Sequence, residues 1–102
     1  MNELEERISR LEFYTKLLAG SPECMMSTFF INNELSEQDF YDIHSIFEIV
    51  DERLNGGDEP DRLLFEIEIN NILQGRGSID NLVLSMGVSE RWLSVCRWYR
   101  GY

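Results

Sequence analysis

Cysteine, proline, histidine and lysine are all scarce in this chain of 102 residues, with two, two, one and one of each. Two cysteines cannot build a disulfide scaffold, and Cys24 and Cys96 form no CxxC pair, so both are expected as reduced thiols. A zinc site needs four placed ligands, and His44 lies far in sequence from either cysteine. No metal or other cofactor is expected. Positive charge is short as well: nine basic residues face nineteen acidic ones, a net charge of −10. Taken whole, that field repels nucleic acid and anionic membranes. Long apolar runs are missing, since Phe29-Phe30-Ile31 and Cys24-Met25-Met26 fall far short of a bilayer span. Charged side chains recur from Glu3 to Glu12, unlike a secretory signal, so a cytoplasmic protein without membrane contact is expected.

What is present suffices for a core. The chain is 43% hydrophobic and 12% aromatic, and a single domain of this size buries roughly 60–70% of its unfolded surface. Disorder and low-complexity architectures are excluded by the same composition.

The periodicity predicts an all-α bundle of about six helices. Residues 2–18 are expected as a helix, with apolar or semi-apolar positions falling at Met1, Leu4, Ile8, Leu11, Thr15 and Leu18, an a/d heptad seam. Glu3–Arg7, Glu6–Arg10 and Glu12–Lys16 add acid-before-base pairs at i,i+4. In a parallel pairing, Arg7 at a g position reaches Glu12 at an e position of a second copy. Leu4, Ile8, Leu11 and Leu18 are therefore the expected self-association residues, although two and a half heptads fall short of a free-standing coiled coil.

Ala19-Gly20 closes this helix, and Ser21-Pro22 starts a second, reaching about Asn33 with Cys24, Met25, Met26, Phe29 and Phe30 as core. Ser36 to Asp39 opens a third helix with a capping-box pattern, running to about Leu54 with Phe40, Ile43, Phe47, Val50 and Leu54 inward. Residues 61–73 alternate like a strand at Leu64-Phe65-Glu66-Ile67-Glu68-Ile69. A lone strand has no partner to pair with, so helix is the expectation. Gln74 to Gly77 is a turn. Ser78 then caps a helix over 79–86, Gly87 interrupts it, and Ser89 caps a last helix from Glu90 to about Tyr99.

Chemical motifs mostly fail on their residues. An EF-hand loop begun at Asp51 would set Arg53 and Arg62 at cation-ligand positions. The carboxylate pairs Glu34–Glu37 and Glu48–Asp51 suggest the magnesium helices of all-α nucleotide pyrophosphatases, but Ser36 puts a helix start inside the first pair. His44, between Ile43 and Ile46, flanks the core. No nucleophile elbow, phosphate loop or dinucleotide fingerprint is present, and no enzyme is expected.

Residues 82–100 have a helix-turn-helix rhythm, with Gly87 at the turn, Val88 beside it and Ser89 as the cap. Charge divides along the chain in the same sense. Residues 1–75 hold five basic and seventeen acidic side chains, whereas 76–102 hold four and two. Val83 stands where DNA-binding motifs keep a small residue, and Glu90 would face the duplex. DNA binding is thus the alternative to a protein contact made by Trp92, Trp98, Arg97 and Arg100. A third reading is an acidic decoy for a nucleic-acid-binding protein, carried by Asp39, Asp42, Glu48, Asp51 and Glu52.

The opening Arg7-Ile8-Ser9-Arg10-Leu11-Glu12-Phe13-Tyr14 followed by Leu17-Leu18 resembles the YhaI-like family of small helical proteins from bacilli. Leu35-Ser36, Leu63-Leu64-Phe65 and Met86-Gly87-Val88 follow in the same order. The resemblance implies a self-associating all-α bundle with no established activity, and it carries no functional residues across. The combined expectation is a non-enzymatic protein working by protein–protein contact, a homo-oligomer with a further, unidentified protein partner.

Overall fold

The computed structural model describes residues 3–20 and 25–101, with backbone alone for 17–20. Six α-helices and no strand occur among the described residues: α1 (Glu3–Gly20), α2 (Met25–Asn32), α3 (Glu37–Asn55), α4 (Arg62–Leu73), α5 (Ile79–Val88) and α6 (Leu93–Arg100). The protein is an all-α bundle. The proposed start of α2 at Ser21-Pro22 lies outside the described residues, as does Cys24.

Polar side chains start three helices. Ser36 Oγ accepts from Asp39 N at 3.1 Å while Asp39 Oδ2 accepts from Ser36 N at 3.0 Å, closing the capping box. Asp61 and Ser78 accept from the third backbone amide of α4 and α5. Each such cap supplies about 1 kcal/mol by satisfying an amide that the helix cannot.

The ends of α1, α2, α3 and α4 fall within a residue of expectation, and the junction between α5 and α6 does not. Gly87 continues α5, and the break falls two to three residues later. Arg91 N reaches Met86 O at 2.8 Å and Glu90 N reaches Gly87 O at 3.0 Å, with Glu90 left-handed at φ 58. This is a Schellman stop with glutamate in glycine's usual place. Trp92 is left-handed too, so α6 begins only at Leu93, without a side-chain cap. Ser89 does not cap it. Its hydroxyl accepts from Met26 N at 3.0 Å and ties the α5 end to α2.

The ambiguous segment is helical because its third-turn spacing serves the core better than its alternation. Phe65, Ile69 and Leu73 are buried, while Leu64 and Ile67 face solvent. α3 packs on α4 and α6, and α5 packs on α2 and α6. Phe30, Phe47, Phe65, Leu82 and Met86 fill the space between them. Phe47 and Phe65 meet edge to face at 5.4 Å. Each fully buried side chain of this size stabilises the fold by about 1.5–3 kcal/mol.

α1 stands apart from that body. It leans on α2, and Phe13 meets Phe40 of α3 at 5.4 Å. The radius of gyration is 14.1 Å and the extents 45 × 27 × 21 Å. About 13 Å is usual for a chain this long, so the shape is drawn out.

Candidate functional site

Several apolar surfaces remain open after the core is packed, among them Ile49 of α3 with Leu63, Leu64 and Ile67 of α4, and two others lie at sequence-predicted contact residues. The first lies on α1. Leu4, Ile8 and Leu11 are 65%, 48% and 64% exposed. Phe13, at an f position opposite the seam, is buried at 4%. The helix therefore anchors itself by one face and presents the heptad seam with the other. Glu3 and Arg7 pair at 2.9 Å, and Lys16 turns to Glu37 of α3, 3.9 Å away. Thr15 Oγ1 donates to Leu11 O at 2.8 Å. The side chain of Leu18 lies outside the described residues.

The second surface is a groove of about 320 Å³ between α5 and α6. Leu84, Val88 and Leu93 line it, with Arg97 and Arg100 at its rim and Cys96 beneath. Those three apolar residues are 43%, 59% and 42% exposed. The groove exists because α5 continues through Gly87. The floor there has only a hydrogen atom, and the left-handed residues 90 and 92 swing α6 away from α5's axis.

Of the four residues expected at a partner contact, Arg97 and Arg100 are exposed on this groove, whereas the two tryptophans are half-buried against the body. Trp98 packs on Phe65 at 5.4 Å between ring centroids. Trp92 Nε1 donates to His44 Nδ1 at 3.0 Å, joining α3 to the α6 start. His44 is thereby held neutral, with its proton on Nε2, which is buried without a partner. Burial first, and then the Arg91 charge, lower its pKa from the ordinary 6.5. Burial raises the Cys96 thiol, whose S–H has Val83 O at 3.5 Å and Arg91 O at 3.6 Å as acceptors. A protonated, enclosed thiol is a core group and a poor nucleophile.

Arg76 plays a part that its sequence context conceals. Its guanidinium donates to Leu73 O at 3.0 Å, Ile72 O at 2.8 Å and Glu34 O at 3.3 Å, and pairs with Asp39 at 3.2 Å. One side chain closes α4, the α2 exit and the α3 start. The signal available in sequence is an arginine just past a helix C-terminus, where it meets the exposed carbonyls. Arg76 therefore cannot serve the C-terminal basic patch, and Asp39 is committed to the same knot. Asp42 accepts from Gln38 and Asp51 from Asn55, while Glu48 and Glu52 stay exposed on α3.

A polar cleft of about 600 Å³ separates α1 from the α3 start, with Glu6, Arg10, Glu34 and Glu37 on its walls. It mixes four acidic side chains with two arginines, and the Arg76–Asp39 pair on its wall is already committed to the helix junction. Tyr99 Oη donates to Glu66 Oε1 at 3.0 Å, and Arg62 lies over the Tyr99 ring at 4.2 Å. No group of three or more metal-ligating side chains that could hold an ion, and no helix long and apolar enough to cross a membrane, occurs among the described residues. No family model, curated protein or solved structure matches this chain.

Proposed function

We propose that this chain is a non-enzymatic cytoplasmic protein that works by protein–protein contact and joins copies of itself through the α1 seam. One observation carries the reading. Leu4, Ile8 and Leu11 form an i, i+4, i+7 row open to solvent on a helix whose opposite face is already buried through Phe13. A contiguous exposed apolar row marks a contact surface more often than a solvated one. The acidic helix α3 and the arginines on the groove then serve solubility and contact geometry. Kinship with the YhaI-like proteins, carried by residues 7–18, belongs to the same proposal.

Substitution on the seam tests it without disturbing the core. Light scattering on eluting protein should give a mass above 12.0 kDa for the unaltered chain and 12.0 kDa for Ile8→Glu and Leu11→Glu. Equal masses for the variants and the unaltered chain would remove α1 from the account.

A further inference from the structure

We infer that the surface receiving α1 is the α5–α6 groove of another copy, so that molecules join head to tail; this rests on the self-association just proposed. Leu4, Ile8 and Leu11 have the spacing by which an amphipathic helix anchors in a groove. The groove offers a matching pair of walls. Leu84 and Val88 stand one turn apart on α5, Leu93 faces them from α6, and Gly87 leaves the floor low. A Cβ added at Gly87 would stand in ordinary contact with Cys96, 3.8 Å away, so the glycine keeps the floor one methyl lower than any other residue would.

Length and charge both favour the groove over a second α1. The 18 residues of α1 make about two and a half heptads, where a two-helix coil needs at least three to four. A helix seated between two others is touched from two sides on every turn. A parallel α1 pair gains Arg7–Glu12 contacts but sets two first turns of Glu3, Glu5 and Glu6 side by side. An antiparallel pair brings Glu5 against Glu12. In the groove, by contrast, the Glu5 and Glu12 flank of the seam meets the Arg97 and Arg100 rim, and opposite charges fix the orientation. Such a joint is heterologous: each copy keeps one seam and one groove to offer, and assembly continues until a ring closes or a filament grows.

Two variants altered on opposite sides of the joint decide the matter. Ile8→Glu spoils the seam and Val88→Glu spoils the groove, both at exposed positions, with folding checked by circular dichroism. Each alone should elute at 12.0 kDa, and their equimolar mixture should form a dimer and nothing larger, because one intact seam and one intact groove remain. If Val88→Glu assembles like the unaltered chain while Ile8→Glu does not, the groove is overturned and self-association through α1 stands. A mixture that stays monomeric overturns the head-to-tail joint. An unaltered chain that is monomeric overturns both readings together. Should Val88→Glu lose helicity, Arg97→Glu replaces it: association should weaken several-fold and recover when Glu12→Arg is added in the same chain. Association unchanged by Arg97→Glu would overturn the proposal equally.

Discussion

His44 and Trp92 form a part-buried polar pair that joins α3 to the start of α6. The bond needs His44 Nδ1 unprotonated, and the folded pKa lies below the ordinary 6.5. The unfolded chain therefore binds a proton that the folded chain resists. The stabilisation is whole above pH 6.5 and is lost as pH falls below it towards the folded value. Urea midpoints measured from pH 7.5 to 5.0 should fall for the unaltered chain. They should fall less for His44→Gln, which keeps an acceptor but does not titrate. Identical slopes would show that His44 has no part in the acid response. Arg76 belongs to this scale too. Arg76→Ala removes the guanidinium from three carbonyls and from Asp39, of which Leu73 O keeps Arg76 N and Asp39 Oδ2 keeps Ser36 N, and should cost about 2–3 kcal/mol, read by denaturant unfolding. A loss under about 0.5 kcal/mol would contradict the four contacts assigned to it.

Helix starts at Ser36 and Ser78 were legible in the sequence, as were the stops near Gly20, Asn33, Leu54 and Leu73, whereas the junction between α5 and α6 was not. Ser36 and Ser78 announce themselves because a short oxygen-bearing side chain before an apolar run has few other uses. The stop at Glu90 hides, because a left-handed glutamate is set by tertiary packing and carries no residue-type signature. Gly87, the expected breaker, lies inside α5, where its value is the space it leaves. This displaced turn shortens the last helix to eight residues and takes Glu90 and Arg91 out of it. The helix-turn-helix-like pair is present as α5 and α6 with its turn moved to residues 89–92, whereas the groove between them depends on backbone angles that composition does not encode. Three substitutions follow. Glu34→Gly and Glu90→Gly each relieve a left-handed side-chain penalty, and should raise stability by up to about 1 kcal/mol. Gly77→Ala should lower stability by more than about 1 kcal/mol, since a Cβ there, at φ +109, would sit 2.9 Å from Asn33 Oδ1 and 3.0 Å from Phe29 Cζ. Thermal melts check all three, about 4–8 °C per kcal/mol for a domain this size.

At the scale of the molecule, a body of five helices holds its core without using the α1 seam. The heptad pattern was readable from residue spacing alone, but spacing could not say whether the seam faced inward. Phe13 answers that: by anchoring α1 through its f face, it leaves Leu4, Ile8 and Leu11 outward. Net charge sharpens the picture, because −10 keeps copies apart unless a local contact overcomes it. The most direct measurement is sedimentation velocity of the unaltered chain over a dilution series at about 0.15 M salt. The account predicts a sedimentation coefficient that rises with concentration as copies join. A single 12.0 kDa species at every concentration would contradict it.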